Sequence, residues 1–342
     1  MNSLTSLFEN QNKNNTNGAF SIGNIDIFYK ILPIIDYYRE LFGYSVVKKY
    51  YSVEPMLGAF ANNEQGVILY QYDKNIGFNK GLLLDYFTSD FPDNTILIKI
   101  LENYYNIFCK TLSYRYTTSH DVFYKNRISS RLFKYYDERF WVMKDTPLKY
   151  NGKKIVLNPL KHVRELIKYF DNQKKYWTIV SQCDPTELNI TTNGIVLDYY
   201  CGGHNPLMAE FSMFVWQNLM IGDCLAPKYN NKYFSQHPRI FQFLCEPKLE
   251  NNNLYYSIRP IRLNAIFLYI DMIIEPILKT ISYDNWYNDF KNFLALKMIT
   301  IFNLKELNES YRLTILVLFE IIYSKNFYKT QELKNLIYDI TL

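Results

Sequence analysis

The segment Ser181-Gln182-Cys183-Asp184-Pro185-Thr186-Glu187-Leu188-Asn189 constrains this chain more than any other. It follows the apolar run Trp177–Val180, which has strand character. A second strand-like run, Gly194–Leu197, comes after it and ends at Asp198. Asn189 thus lies five residues after Asp184, and Asp198 nine residues after Asn189. Asp and Asn are common turn residues, and Asp184-Pro185 by itself initiates a turn. A polar turn between two strands, with an acidic residue closing the second, is a narrower pattern. A glycine-containing stretch, Tyr200–Pro206, carries it on towards Glu210.

Residues of these types at this spacing suit phosphoryl transfer. One carboxylate accepts or orients the proton of an attacking hydroxyl. An amide oxygen and a second carboxylate hold a divalent metal against nucleotide phosphates.

The stretch from Trp177 to Glu210 resembles the catalytic core of the aminoglycoside phosphotransferase-like small-molecule kinases, relatives of the protein kinases. Their catalytic loop has His-Gly-Asp, four residues and Asn, then a strand leading to a second Asp. The resemblance makes Asp184 the catalytic aspartate and Asn189 and Asp198 the metal ligands. Asn205-Pro206 and Glu210 resemble the segment packed beside the loop, where the family commonly has aspartate, so Glu210 is expected to be structural. Gln182 stands where the family usually has histidine, and Cys183 where it usually has glycine. Those departures leave open a catalytically impaired pseudokinase that binds a nucleotide or a partner.

The resemblance also asks for a strand lysine and a helix glutamate in the N-terminal part. Lys30 on the strand-like run Ile25–Ile31 and Glu40 on the helical run Ile34–Phe42 occur in that order. The plainer alternative is a solvent-facing lysine and a surface glutamate. Gln71 and Tyr72 fall at the expected hinge, where backbone groups would meet the base. Gly18 and Gly23 could frame a shortened phosphate loop, without the full G-x-G-x-x-G arrangement.

The rest of the chain supplies a compatible outline. Residues 1–17 read as a disordered tail, 18–74 as an N-terminal nucleotide-binding lobe and 75–342 as a catalytic and substrate-binding lobe. The expected fold is α+β, protein-kinase-like, with a small mixed lobe and a large mainly helical one. Phe20–Ile31 has strand character around a Gly23-Asn24 turn. Pro33 opens a helix that Gly43 closes, and Val46–Tyr51 reads as a strand. Leu57–Phe60 and Gly66–Tyr72 form a hairpin around Asn62-Asn63, and Asp73–Lys80 is a polar linker. Helical periodicity appears over Thr95–Leu112, Ile128–Tyr136, Pro159–Phe170, Met208–Leu219, Leu263–Ile277, Trp286–Phe302 and Tyr311–Tyr323. Pro276 is expected to kink or end one of these helices.

Composition excludes several classes. Hydrophobic residues make up 48% of the 342, enough for a large core and too many for a disordered chain. The net charge of +5 tolerates an anionic ligand without calling for nucleic acid, and no groove-reading motif occurs. The five cysteines are dispersed and include no CxxC pair, which argues against a disulfide framework or a zinc site. The apolar stretch Leu313–Phe319 is interrupted by Glu320, and no run approaches the roughly 18 residues of a membrane span. The expectation is a cytoplasmic enzyme that uses ATP or GTP with Mg²⁺ and phosphorylates a hydroxyl of a small molecule. An aminoglycoside, a sugar, an amino alcohol or a nucleoside would each serve. No membrane partner is expected, and the sequence leaves oligomeric state open. Arg127 and Arg131, one helical turn apart, read as a solvated face, with contact to phosphate or an acidic substrate as the alternative. His120, His162, His204 and His237 are dispersed, and His204 alone lies near the site in sequence.

Overall fold

The computed structural model describes residues 16–73, 81–118, 125–143, 148–171, 174–234 and 237–341. The linker read over Asp73–Lys80, apart from Asp73, lies outside them, as do His120 and most of the tail. The first strand begins at Thr16, inside the segment read as tail.

The N-terminal part is a four-stranded antiparallel sheet in the order β1-β2-β4-β3. Its strands are β1 (Thr16–Ile22), β2 (Ile25–Pro33), β3 (Met56–Ala61) and β4 (Gln65–Gln71). Gly23, in the left-handed region, closes a two-residue turn between β1 and β2. Asn62 accepts the Glu64 and Gln65 amides through Oδ1 and so builds the β3–β4 turn. Between β2 and β3 comes the helix Ile34–Val47, with Pro33 fixing its entry.

Gly43 does not end that helix, which runs on to Val47. A Cβ at Gly43 would lie 1.8 Å from the Tyr199 carbonyl oxygen. The glycine is there so that the helix can touch the Tyr199–Gly202 backbone, where a Cβ at Gly202 would in turn lie 2.8 Å from the Gly43 Cα. The strand expected over Val46–Tyr51 is therefore the helix end followed by a turn.

The larger part is mainly helical, with two small sheets. β5 (Ser113–Arg115), β8 (Tyr176–Ser181) and β9 (Gly203–Pro206) form one antiparallel sheet. β6 (Leu148–Tyr150), β7 (Lys153–Ile155), β10 (Lys248–Glu250) and β11 (Asn253–Tyr255) form the other. Asp93 caps the helix Asn94–Thr111, whose Leu97, Ile100, Leu101, Tyr104 and Phe108 are buried. The helix Leu207–Trp216 is buried on all sides, as a helix apolar all round must be. Helix Trp286–Thr300 packs along it. Pro276 does not end its helix: the chain widens to a π turn over Ile270–Ile274 and continues through Glu275–Thr280. The wider turn accommodates the missing proline donor. This small mixed lobe beside a large helical one is the expected α+β architecture.

Gly194–Leu197 is not a strand. Val196 makes only isolated bridges, one to Val53 and one to Ile190. The turn from Thr191 to Gly194 is too tight to leave residues for a ladder. The bridge to Val53 ties this turn to the chain leaving the helix Ile34–Val47.

Replacing Gly43 with alanine should lower the stability of the fold by about 1–3 kcal/mol, the usual cost of overpacking. Denaturant titration would measure it, and an unchanged midpoint would refute the close-approach explanation.

Candidate functional site

Lys30 meets Glu40 and Asp198 at one point. Its Nζ donates to Glu40 Oε1 at 2.7 Å and to Asp198 Oδ1 at 2.8 Å. Three separate segments supply these groups: β2, the helix Ile34–Val47 and the loop after Val196. Lys30 pairs with buried Ile68 across β2 and β4. Glu40 belongs to the buried helical stripe Tyr37, Glu40, Tyr44 and Val47. Tyr70 OH donates to the same Glu40 oxygen at 3.0 Å, and the Tyr199 amide does so at 3.4 Å.

Burial works against the Lys30 charge, but Asp198 and Glu40 together outweigh it and raise its pKa. Burial pushes the Glu40 carboxyl up, with the Lys30 ammonium opposing. For Asp198, burial also opposes charge, yet the Lys30 ammonium prevails and holds the carboxyl below its usual range. Asp198 itself is in the left-handed region at φ 61°.

Asp184 and Asn189 form the second half of the site. The Asn189 amide nitrogen donates to Asp184 Oδ2 at 3.0 Å and to the Asp184 carbonyl at 3.2 Å. Gln182 Nε2 donates to that same carbonyl at 3.1 Å. Within the turn, Thr186 donates to Asp184 and Asn189 to Thr186 through their backbones. The Leu197 amide then donates to the Asn189 carbonyl, which sets Asp198 close behind the turn. Cys183 adopts φ 63°, a conformation that favours glycine. Burial pushes the Asp184 carboxyl up to about 6, and nearby Asp198 adds to the effect. Lys297, Arg127 and the Asn189 hydrogen bond oppose it.

Lys297 and Arg127 were not read from the sequence as site residues. Arg127 is buried beside Asp184, Cys183 and Cys201, not on a solvated face. Lys297, on helix Trp286–Thr300, is fully buried among the same groups. Burial, then Arg127, brings its ammonium down to about 7. One signal was available: Lys297 interrupts the apolar run from Phe293 to Ile299. A charge there is buried only with partners.

The remaining expected residues are placed as follows. Gln71 ends β4, where its amide donates to Pro55 O at 2.7 Å. The Tyr72 amide donates to Asp26 O at 2.8 Å. Both amides are thus engaged within the N-terminal part. Gly18 lies in mid-strand, with the Tyr29 ring across it, and not in a loop. His204 stands on β9 near Arg115. Glu210 is fully buried and accepts from Ser181 Oγ at 2.8 Å.

No family model matches the chain, and no curated protein matches it. Among solved structures it is similar to aminoglycoside phosphotransferase APH(4)-Ia. Identity is 11% over 86% of this chain and 91% of that one, with a TM-score of 0.42. It is also similar to a thermostable mutant of that enzyme in ternary complex with ADP and hygromycin B. Here identity is 12% over 86% and 91%, with a TM-score of 0.40. Aminoglycoside phosphotransferase APH(3'')-Id from Streptomyces rimosus ATCC10970 matches at 10% identity over 75% of this chain and 92% of that one, with a TM-score of 0.38. At identities and TM-scores this low, the site stands on its own distances.

Burial raises the Glu210 carboxyl from 4.5 to about 8, so the folded protein holds a proton there that the unfolded chain releases. Stability should therefore fall as pH rises from about 4.5 to about 8, by at most about 1.4 kcal/mol per pH unit. Glu210→Gln should flatten that slope in denaturant titrations across the window. A slope equal to wild type would show that Glu210 is not the group responsible.

Proposed function

We propose that this chain is a phosphotransferase that moves the γ-phosphate of ATP or GTP to a hydroxyl of a small molecule. An aminoglycoside, a sugar, an amino alcohol or a nucleoside would fit this reading. The observation that carries it is the convergence of Lys30, Glu40 and Asp198, residues spread over 168 positions, on one ammonium. The pairing of Asp184 with Asn189 beside them supplies the other half.

In this reading Lys30 steadies the nucleotide phosphates, and Glu40 fixes where its ammonium stands. Gln71 and Tyr72 would stand at the hinge beside the base, with their backbone amides engaged within the N-terminal part. The acceptor oxygen attacks phosphorus, the bond from phosphorus to the leaving diphosphate breaks, and Asp184 takes the hydroxyl proton. At pH 7 Asp184 is largely ionised and able to do so, because its pKa stands at about 6.

Asp198 and Asn189 suit a hard cation. Asp198 offers a carboxylate, and Asn189, whose amide nitrogen faces Asp184, turns its amide oxygen the other way. Among the described residues no cluster of three His, Cys, Asp or Glu could hold a metal. Magnesium, when bound, supplies charge neutralisation at the transferring phosphate. Among the described residues no helix is long and apolar enough to cross a membrane.

A second reading is a nucleotide- or partner-binding module without transfer. The two-residue turn at Gly23-Asn24 favours it, because so short a turn gives little backbone to cover phosphates.

Phosphate transfer from labelled nucleotide into a metabolite mixture separates the readings. Asp184→Asn should lower turnover by about 10²–10⁴-fold while leaving magnesium-nucleotide binding intact. Full turnover in that variant would refute the role of Asp184. Nucleotide binding by wild type without transfer to any acceptor would favour the second reading. Turnover should also fall as the pH drops below about 6, where Asp184 gains its proton. A flat acid limb would count against it.

A further inference from the structure

A buried ionic cluster lies behind the Asp184–Asn189 turn, and the chemistry above does not use it. Arg262, on the helix Pro260–Tyr269, is fully buried. Its Nη1 donates to Glu187 Oε2 at 2.7 Å and its Nη2 to Glu187 Oε1 at 2.8 Å. Nη2 also donates to Asp223 Oδ1 at 2.7 Å. Arg259, one turn earlier, donates to both Asp223 oxygens at 2.7 and 2.8 Å. Gln217 Nε2 donates to Glu187 Oε2 at 2.9 Å. The guanidinium stands 3.9 Å from the Phe87 ring centroid. A Cβ at Gly222 would come within 2.6 Å of Arg262 Nη2, so that glycine leaves the guanidinium its room.

Glu187 belongs to the catalytic turn, three residues after Asp184 and two before Asn189. We infer that Arg262 is a positioning residue, whose two-pronged grip on Glu187 fixes the turn that presents Asp184 and Asn189. The inference rests on the phosphotransferase reading for its catalytic meaning and on the distances above for its geometry.

Two features favour this over simple gluing of helices. Arg259 alone already joins its helix to Asp223. Arg262 directs two of its three short bonds at the turn instead. A bidentate fork also fixes orientation as well as distance, which a lysine would not. The turn is otherwise braced by backbone bonds, its own and those from Leu83 to Ile190 and from Leu84 to Glu187, and by the Gln182 and Asn189 side chains on Asp184, none of which holds Glu187 by its carboxylate. Without the fork Glu187 is a buried carboxylate left with Gln217, and the turn must open to hydrate it.

The test uses the full chain and two variants, Arg262→Lys and Glu187→Gln. Amide hydrogen exchange is followed at Thr186 and Asn189, and ATP binding is measured with and without Mg²⁺. Both variants should exchange faster at those two amides than elsewhere. They should lose the magnesium-dependent part of ATP affinity by about 10–100-fold, the usual cost of removing a group that orients a ligand. Magnesium-free affinity should be unchanged. A merely structural role would speed exchange equally along the helix Pro260–Tyr269 and leave the magnesium dependence intact, which would overturn the inference. Should Arg262→Lys fail to fold, the isosteric Glu187→Gln decides alone. If wild type shows no magnesium-dependent ATP binding, the phosphotransferase reading falls, and local exchange at Thr186 and Asn189 still decides whether Arg262 fixes the turn.

Discussion

One ammonium group holds the site together. Lys30 answers two carboxylates that come from different parts of the fold, and neither has another cation at comparable distance among the described ion pairs. Glu40 sits in an otherwise apolar helical stripe, where an unpaired charge is costly. The pair therefore fixes the roll of the helix Ile34–Val47 relative to β2. Asp198 then ties both to the loop that follows the Asp184–Asn189 turn. The contact of Gly43 with the Tyr199 backbone belongs to the same arrangement. It lets the helix approach closely enough for Glu40 and Asp198 to share one lysine.

The two aspartates of the site are given opposite environments. Asp198 is kept charged by Lys30, and Asp184 is pushed towards neutrality by burial and by Asp198. That separation suits one carboxylate to holding charge and the other to handling a proton. Lys297 and Arg127 limit how far Asp184 moves, since both favour its ionised form. Their presence gives the surroundings of Asp184 a cationic side. Glu210 adds little negative charge there at neutral pH, because burial keeps it protonated.

What was legible in the sequence was local. The Asp184–Asn189 spacing fits within one turn, so the hydrogen bond between them follows from short-range geometry. The helix Asn94–Thr111 announced itself through its helical periodicity over Thr95–Leu112. Lys30 and Glu40 could be chosen only by their order along a resembling chain. Gly43 misled because a glycine near a helix end looks like a stop, whereas its reason is a backbone more than 150 residues away. Gly194–Leu197 misled because a glycine followed by three apolar residues suits a strand, while the partner needed for a ladder is absent among the described residues beyond Val53 and Ile190. Arg127, Lys297 and Arg262 act across long separations, and spacing along the chain does not encode such contacts.

The two departures from the resembling loop pattern bear differently on its shape. Gln182 donates to the Asp184 carbonyl, so a side-chain donor still anchors the loop where histidine is usual. Cys183 keeps the left-handed backbone that glycine would adopt freely, at a cost of about 1–2 kcal/mol for a residue with a Cβ. Strain of that size persists only where surrounding contacts over-determine the conformation. Those contacts are present on both sides. Ser181 Oγ accepts the Cys183 amide and donates to Glu210, and the Cys183 side chain is wholly buried. Farther along, Glu187 is gripped by Arg262. The turn is thus held at its entry by the Ser181–Glu210 pair and near its exit by an ionic fork, with Asp184 between the two fixed points and Asn189 two residues past the second. A loop retained only as a connection would not require both.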